Sequence, residues 1–330
     1  MKHKIRWAIL GCGRIARKFA ADLRFVPNAE LIAVASRDPA RADAFADEFR
    51  AAHRHNHYEA LAQHPEVDAV YVATPHGLHF EHTLLCLRHK KAALCEKPLA
   101  MNQRQAREMI ALAKSESTFL MEGLWTAFLP HYQTAKRLIG QGKVGTIKYV
   151  HAEFGFIPAS PVPQRMYDPQ LGGGSLLDIG LYPVFLALDL LGAPDSIQAA
   201  MAHTSTGVDE SCSIQFGYRN GATAQLFSTF AANLAGDADI AGSGGRLRLT
   251  SRFHGPTTSL EFCPMGVDTR EAIPFEAAQG NGFEYEARHV TDCLLQGLTE
   301  SPVRTHAHSL ALMATLDQVR QKAGLRYAVD

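Results

Sequence analysis

The segment RWAILGCGRIARKFAADL, from Arg6 to Leu23, constrains the fold more than any other part of this sequence. An apolar, strand-like run ends in a glycine-rich turn, and a helical pattern begins at once. Gly11 and Gly13 permit a tight turn and a close approach of the backbone to a pyrophosphate, while the small Ala16 lets the helix pack near the strand. The amino terminus of a helix also favours negative charge. The segment therefore predicts a dinucleotide-binding turn.

The same strand–turn–helix pattern repeats along the first part of the chain. Short apolar runs without polar alternation, typical of parallel strands buried on both faces, are separated by helical patterns. This pattern predicts an α/β fold with a Rossmann-type, doubly wound parallel sheet in residues 1–123. The apolar runs are Trp7–Leu10, Leu31–Ala35, Ala69–Ala73, Ala92–Cys95 and Thr118–Met121.

Residues 124–330 have a different texture, with longer strand patterns joined by turn signals such as Asn220-Gly221. They predict a second α/β domain with a mostly antiparallel sheet. The last helix is expected either to stay with this domain or to pack back on the first. The predicted strands are Ile147–Phe156, Ser211–Gly217, Ala222–Thr229, Gly245–Thr250 and Ser259–Cys263, and the predicted helices are Ser175–Leu191, Glu284–Leu295 and Ser309–Gln321.

Composition narrows the possible partners and compartment. Lys plus Arg total 33 and Asp plus Glu total 33, a balance that argues against nucleic acid or an anionic membrane as the main partner. The six cysteines are scattered without a CxxC pair, so neither a disulfide framework nor a metal framework is expected. The amino-terminal sequence lacks signal-peptide features. The expected localisation is the cytoplasm.

Two residues at the tip of the second strand bear on cofactor choice. An NAD site usually places a carboxylate there for the ribose hydroxyls, whereas Ser36 and Arg37 offer a hydroxyl and a guanidinium that suit a 2′-phosphate. This favours NADP, with NAD still possible because Asp38 could supply the carboxylate. The alternative for Arg37 is a solvated surface residue.

Further candidates follow the fourth and fifth strands, where ligands bind in parallel sheets. Lys97 has its ammonium either near the crevice or at an ordinary surface position. His79 either faces the cofactor or is a structural histidine. The candidate cofactor-binding residues are Gly11, Cys12, Gly13, Arg14, Ile15, Ser36, Arg37, Thr74, Pro75, His79, Glu96, Lys97 and Trp125.

The segment GGGSLLDIGLYP places an acid and a phenol in an apolar helical run. Asp178 and Tyr182 are four residues apart, so an α-helix puts both on one face, where they could act on the same small molecule. Alternatively, Asp178 is a cap and Tyr182 a core aromatic with a satisfied hydroxyl. The histidines of His53–His57 alternate as on a strand, but no carboxylate or cysteine accompanies them at ligand spacing. A solvated loop is favoured, and no metal site is expected.

Six segments together, GCGRIA, ATPHGLH, CEKPLA, MEGLWTAFLP, GGGSLLDIGLYP and NGFEYEARHV, resemble the Gfo/Idh/MocA oxidoreductases over nearly the whole chain. The most similar branch contains dimeric dihydrodiol dehydrogenases and NADP-dependent D-xylose dehydrogenases. The resemblance implies a Rossmann domain followed by a domain with a large open sheet that often forms a dimer interface. A homodimer is therefore expected, and a broad apolar face in residues 145–275 would favour it.

The resemblance also implies a chemistry. Lys97 matches the family's EKP lysine, whose following proline is typically cis, and Asp178 and Tyr182 match the acid and the catalytic tyrosine of the branch. Tyr182 would exchange a proton with the hydroxyl of a sugar, polyol or trans-dihydrodiol as hydride moves to or from nicotinamide. Lys97 would favour its phenolate, and Asp178 would bind substrate or orient Lys97. The candidate substrate contacts are Trp125, Phe154, Arg165, Tyr167, Asp178 and Tyr182.

One departure leaves the substrate open. Many relatives in the branch have an arginine where this chain has Ala127, beside the expected nicotinamide and substrate region. Two other functions therefore remain as alternatives. The first is a family-related glycoside hydrolase that cycles tightly bound NAD(H) through oxidation, elimination and reduction. The second is a non-enzymatic nucleotide-binding sensor, which would not need the three candidate acid–base residues.

Overall fold

A computed structural model describes residues 4–267 and 269–330. The chain divides into two compact units. The first contains the residues up to Trp125 together with Gln279–Leu310, and the second contains Thr126–Ala278 together with Ala311–Asp330. The predicted division into 1–123 and 124–330 differs from this one because the segment 279–310 belongs to the first unit.

The first unit contains a six-stranded sheet. Its strands are β1 (Ile5–Leu10), β2 (Ala29–Ala35), β3 (His53–His55), β4 (Ala69–Val72), β5 (Ala92–Glu96) and β6 (Leu120–Gly123). Its helices are α1 (Arg14–Leu23), α2 (Pro39–Phe49), α3 (Tyr58–Ala62), α4 (His79–Arg88), α5 (Gln103–Ser115) and α8 (Phe283–Leu295). All neighbouring strands are parallel, in the order β3-β2-β1-β4-β5-β6. The doubly wound sheet is therefore confirmed, with its topological switch point between β1 and β4.

Long-range contacts explain why α8 belongs to the first unit. The indole Nε1 of Trp7 in β1 donates a hydrogen bond to Oγ1 of Thr291 in α8, at 3.2 Å. At the end of α1, Oδ1 of Asp22 accepts a hydrogen bond from the backbone N–H of Asn281, at 2.9 Å. These partners are more than 250 residues apart along the chain, so no local pattern could indicate them.

The segment His53–His55, for which the sequence favoured a solvated loop, forms the edge strand β3. It pairs with β2, with His53 opposite Ala33 and His55 opposite Ala35. Both histidines are half-buried. A three-residue polar strand carries too little hydrophobic pattern to be recognised without its partner.

The second unit contains an eight-stranded sheet in the order β14-β13-β12-β11-β7-β10-β9-β8. The strands are β7 (Ile147–Gly155), β8 (Ser196–His203), β9 (Asp209–Gly217), β10 (Thr223–Thr229), β11 (Ala238–Gly242), β12 (Gly245–Thr250), β13 (Ser259–Pro264) and β14 (Glu271–Ala272). The helices are α6 (Pro130–Gly140) and α7 (Leu181–Leu191), while α9 (His306–Ala323) begins in the first unit and ends in the second. Only β7 and β10 pair in parallel, which confirms the mostly antiparallel sheet.

A π-helical turn, Leu176–Gly180, leads directly into α7. Gly180 lets this turn approach β10, because a Cβ atom there would lie 2.7 Å from Oγ of Ser228. Among the described residues, one helical stretch, Pro169–Leu191, is long and apolar enough to cross a membrane, and 78% of its most apolar window is buried inside the protein. It forms the core helix of the second unit, as the sequence predicted.

One face of the eight-stranded sheet carries charged residues. Leu247 and Leu249 of β12 are buried, whereas Arg246 and Arg248, which alternate with them, are partly exposed. Nη2 of Arg248 lies 2.8 Å from Oδ2 of Asp237. The expectation of a broad apolar face is therefore wrong in its chemistry, because the period-two alternation places the apolar side chains on the covered face and charges on the other.

Candidate active site

The glycine-rich turn connects β1 to α1 in the first unit. Gly11 has a φ of +101°, and a Cβ atom there would lie 2.9 Å from a carbonyl oxygen in the loop after β4, so the position requires glycine. Gly13 is the N-cap residue of α1. A Cβ atom added at this position would face open space. The turn therefore fits a pyrophosphate at the helix amino terminus. Of the other turn residues, Cys12 is buried and Arg14 and Ile15 are exposed.

Two charged residues follow the carboxyl end of β2: Asp38 caps a helix, and Arg37 is exposed. Oδ1 of Asp38 accepts a hydrogen bond from the backbone N–H of Arg41, at 3.3 Å, and so caps α2. Oγ of Ser36 accepts one from the backbone N–H of Asp38, at 3.2 Å. Arg37 is exposed and hydrogen-bonds to Tyr58, whose pKa is raised by burial despite this cation. The carboxylate therefore caps the helix, and the exposed Arg37 side chain lies beside Tyr58.

The loops that follow β4 and β5 are joined by a buried histidine. Nδ1 of His79 lies 2.7 Å from the carbonyl oxygen of Pro98, and Nε2 lies 2.8 Å from that of Thr74. Burial lowers the pKa of His79 to about 4, although the two carbonyl contacts act in the opposite direction. Of the two predicted alternatives, the structural one describes His79, because its ring contacts protein carbonyls. Pro75 continues the loop, and Oγ1 of Thr74 lies 3.0 Å from Nδ1 of His82.

The loop carrying Lys97 is fixed by the carboxylate of Glu96. The hydroxyl of Tyr71 donates to Oε1 of Glu96, and the backbone N–H of Lys97 donates to Oε2, at 3.2 Å. The Lys97–Pro98 peptide bond is cis, as the resemblance implied. In α8, burial together with the charge of Glu96 raises the pKa of the fully buried Glu286 well above its usual range. Glu286 is therefore a neutral acid.

Trp125 is the last residue of the amino-terminal segment of the first unit, and Thr126 is the first residue of the second unit. Its ring stacks on Phe283, with centroids 4.7 Å apart and planes inclined by 26°. The buried indole N–H has no acceptor among the residues that the structure describes, so it can serve a ligand. Ala127 is buried in the second unit.

In the second unit, the predicted acid is paired with a base from the preceding loop. Asp178 lies in the π-helical turn, and its Oδ2 is 3.3 Å from Nη1 of Arg165. The side chain of Asp178 is 10% exposed and that of Arg165 36%. The spacing of Asp178 and Tyr182 therefore spans the junction of a π turn and α7, and π turns are frequent at functional sites.

A second buried acid holds the start of the π turn. Oδ2 of Asp209 accepts hydrogen bonds from Oγ of Ser175 and from the backbone N–H of Leu176, both at 2.7 Å. Burial nevertheless raises the pKa of Asp209 to about 6. A Cβ atom at Gly174, whose φ is +110°, would overlap the Asp209 carboxylate. The glycine before the helix is therefore needed for a close approach within the protein.

Tyr182 is 6% exposed and packs in an aromatic group with Phe154 and His254. The rings of Phe154 and His254 stack with centroids 3.8 Å apart, and the Tyr182 ring lies 5.0 Å from His254 and 6.0 Å from Phe154. Oγ1 of Thr126 donates to the backbone oxygen of His254, at 2.8 Å. His254 could not be recognised from the sequence, because the segment SRFHGP contains no known motif. Its ring partners Phe154 and Tyr182 are also distant from it in sequence.

The structure brings together two pairs of predicted substrate residues, Arg165 with Asp178 and Phe154 with Tyr182. The ring of Tyr167 instead packs edge-on against Phe230, with centroids 6.0 Å apart, and burial and Glu210 raise its pKa. All candidate cofactor residues lie in the first unit, and all candidate substrate residues except Trp125 lie in the second.

Comparisons with known families match both units. Residues 5–124 match a family model described as an oxidoreductase family with an NAD-binding Rossmann fold. Residues 132–248 match the GFO/IDH/MocA C-terminal domain. The order of the two matches along the chain is the order of the parallel and antiparallel sheets.

Known proteins are also similar to this chain over nearly its full length. The trans-1,2-dihydrobenzene-1,2-diol dehydrogenase of Xenopus laevis is 38% identical over 98% of this chain and 99% of its own, and that of Mus musculus is 36% identical over 99% of both. A 3-ketoreductase from Actinomadura kijaniata, solved with NADP and TDP-benzene, has a TM-score of 0.88 and 30% identity over 97% of this chain and 98% of its own. The chain belongs to the Gfo/Idh/MocA family of oxidoreductases.

Proposed function

We propose that this oxidoreductase transfers a hydride between NADP and the hydroxyl-bearing carbon of a sugar, a polyol or a trans-dihydrodiol. The observation that carries the proposal is the buried phenol of Tyr182 in an aromatic group, in the same unit as the Arg165–Asp178 ion pair. The full-length similarity to trans-1,2-dihydrobenzene-1,2-diol dehydrogenases supports the diol class. The similarity to a 3-ketoreductase solved with NADP and TDP-benzene supports hydride transfer at an oxygen-bearing carbon.

The preference for NADP over NAD rests on the tip of β2. The carboxylate of Asp38 is engaged in capping α2, whereas the guanidinium of Arg37 is exposed. A guanidinium binds phosphate with charge-assisted hydrogen bonds. The related ketoreductase was solved with NADP, which agrees with this preference.

Bound nicotinamide supplies the hydride acceptor or donor. Tyr182 takes the proton from the substrate hydroxyl when the alcohol is oxidised, and returns it to the carbonyl oxygen in the reverse direction. A free phenol has a pKa of about 10, too high for an efficient base near neutrality, and a neighbouring ammonium lowers it. We assign that ammonium to Lys97. Solved variants of the related ketoreductase with a tyrosine or a lysine replaced point to the same residue types.

Asp178 has a binding role in this proposal. Its carboxylate accepts a hydrogen bond from a substrate hydroxyl, and Arg165 holds it in position through the 3.3 Å contact. A vicinal diol would offer one hydroxyl to Tyr182 and the other to Asp178. This explains why an acid and a phenol are found one helical turn apart in an otherwise apolar helix.

A substrate panel tests the proposal. Sugars, polyols and trans-dihydrodiols are offered with NADP⁺ and with NAD⁺, and the absorbance of reduced nicotinamide is followed. We expect turnover with at least one member of the panel, with the higher kcat/KM for NADP⁺. Product without net reduced nicotinamide, together with tightly bound nucleotide, would identify the hydrolase alternative. Nucleotide binding with no turnover across the panel would favour the sensor.

We also infer a homodimer that forms through the eight-stranded sheet. Asp239, Arg248 and Glu261 lie opposite one another across β11, β12 and β13. Each has a buried polar side-chain atom without a hydrogen-bond partner among the described residues, namely Oδ1, Nε and Oε2. Oδ1 of Asp239 lies 3.4 Å from Nε of Arg246. Oε2 of Glu261 lies 3.8 Å from Nη1 of Arg270, so both carboxylates are in ion pairs. A second copy would supply a partner for Nε of Arg248. Light scattering at micromolar concentration should give the mass of a dimer, and the mass of a monomer would refute this assembly.

A further inference from the structure

Two histidines and a glutamate lie close together in the first unit, near the amino-terminal ends of strands β3 and β4. The glycine-rich turn lies at the carboxyl end of β1. His53 is the first residue of β3, while His64 and Glu66 lie between α3 and β4, before the amino-terminal end of β4. Each residue offers one ligand atom, and these atoms all lie within 4.8 Å of one another. Most candidate cofactor residues instead follow the carboxyl ends of β1, β2, β4 and β5 in the same sheet. We propose that His53, His64 and Glu66 form a binding site for a divalent transition metal, with Zn²⁺ the best match.

The distances suit a tetrahedral ion after small side-chain rotations. Metal–ligand bonds of about 2.0–2.1 Å place tetrahedral ligand atoms about 3.3 Å apart. Nε2 of His53 already lies 3.5 Å from Oε2 of Glu66. The imidazoles of His53 and His64 lie side by side, with centroids 4.3 Å apart. The backbone N–H of Glu66 donates to Nδ1 of His64 at 3.3 Å, a long contact that would be exchanged when the metal binds.

A third histidine, from β3, lies beside the cluster. Nε2 of His55 is buried without a hydrogen-bond partner among the described residues, and its ring stands edge-on to His64 at 5.5 Å.

Two cations beside the cluster limit its affinity. Nη1 of Arg6 lies 3.9 Å from Oε1 of Glu66, but this guanidinium is held by Asp68, with Nη2 2.9 Å from Oδ1. Nζ of Lys91 donates to the carbonyl oxygens of His64 and Val67, at 2.8 and 2.9 Å. Their positive charge opposes a bound cation. We expect three protein ligands plus water to hold Zn²⁺ with micromolar affinity. Imidazole and carboxylate ligands with an open position suit this ion.

Isothermal titration of the full chain with Zn²⁺ tests the site. We expect one ion per chain, with His64→Ala and Glu66→Gln each weakening binding by at least about tenfold. His89→Ala is the matched control, because it removes another half-exposed histidine of the same unit, one that lies 2.7 Å from Oε1 of Glu59. It should leave Zn²⁺ affinity unchanged.

The absence of saturable binding in the micromolar range would overturn the proposal. Equal affinity in the wild type and both cluster variants would also overturn it. A loss of affinity in His89→Ala equal to that in the cluster variants would overturn it as well. Circular dichroism and nucleotide binding check that each variant is folded. Since Glu66 is exposed, Glu66→Gln keeps the test decisive even if His64→Ala fails to fold.

Discussion

Nη1 of Arg165 lies 3.3 Å from Oδ2 of Asp178, and this ion pair joins the loop before the glycine cluster to the π-helical turn. The acid is nearly buried and the base is about one-third exposed. A partly buried pair with one open side can hold the carboxylate in place and still leave room for a ligand hydroxyl. The contact therefore connects the local helix geometry to the proposed binding of substrate.

Replacing Arg165 by methionine should weaken catalysis without affecting the nucleotide. The substitution keeps much of the aliphatic stem and removes the charge that positions Asp178. We expect kcat/KM to fall about ten- to hundredfold, the size typical of a misplaced binding group, and the dissociation constant of NADP to stay the same. Lys136→Met is the control, since it removes the 2.8 Å ion pair with Asp189 in the same unit. Wild-type kcat/KM in Arg165→Met would reduce the pair to a surface contact.

Replacing Arg37 by aspartate should change cofactor choice. The proposed phosphate partner becomes a like charge, so the dissociation constant of NADP should rise about ten- to a hundredfold, and that of NAD should change much less. Nucleotide titrations by fluorescence measure both constants. Arg54→Asp provides the comparison, because Arg54 is another exposed arginine of the first unit and pairs with Asp43 and Asp47. Parallel losses for NADP and NAD would refute the role of Arg37.

Local signals in the sequence were sufficient for the parallel sheet. The turn at Gly11 and Gly13 requires particular residue types at consecutive positions, and buried parallel strands have unbroken apolar runs. The second sheet was recognisable in part from its turns and longer strands, because five of its eight strands were predicted and β8, β11 and β14 were not. The predicted helices at Glu284–Leu295 and Ser309–Gln321 correspond to α8 (Phe283–Leu295) and α9 (His306–Ala323), with ends that differ by up to three residues.

Long-range contacts decided what the sequence could not indicate. The pairing of Trp7 with Thr291 draws α8 into the first unit, and the stacking of His254 on Phe154 adds an aromatic ring beside Tyr182. The π turn was not predictable either, because residues 176–187 are buried on all sides. They have no amphipathic pattern in which an extra residue per turn would appear as a shift. The predicted role of Lys97 as a partner of Tyr182 stays a prediction that kinetics must test.

The buried carboxyl of Asp209 should make stability depend on pH. Burial raises its folded-state pKa to about 6, above the ordinary value of 3.8. Its favourable contribution to the free energy of unfolding is therefore fully present below the unfolded pKa and is lost as pH rises through about 6. Asp209→Asn can keep both accepted hydrogen bonds and cannot ionise. Its stability relative to the wild type should increase by up to about 3 kcal/mol between acidic and neutral pH.

Urea unfolding of both proteins at about pH 4.5 and about pH 7.5 measures about 2 kcal/mol of this difference, because about 1 kcal/mol is already lost at about pH 4.5. Asp195→Asn is a suitable control, because Asp195 accepts a hydrogen bond from the backbone of Arg219 at an exposed site. A stability difference between Asp209→Asn and the wild type that is the same at both pH values would show that Asp209 titrates normally in the folded protein.

Replacing Tyr182 by phenylalanine tests the proposed proton transfer directly. The ring keeps its packing against Phe154 and His254, and only the hydroxyl is lost. General acid–base catalysis typically contributes about a hundred- to ten-thousandfold, so kcat should fall by that order while folding and nucleotide binding persist. If Tyr182 is instead a core aromatic, the variant will have nearly wild-type turnover on any accepted substrate.

Lys97→Met extends the test to the assigned cation. It should also reduce turnover strongly, and it should move the pH–rate limb of the remaining activity upward, because a phenol without a cationic neighbour ionises at higher pH. Since both side chains serve one proton transfer, the double variant should be little worse than Tyr182→Phe alone. Fully additive losses would mean that Lys97 and Tyr182 act in separate steps. The lysine would then have to be reassigned to cofactor binding, which an increased dissociation constant for NADP in Lys97→Met would reveal.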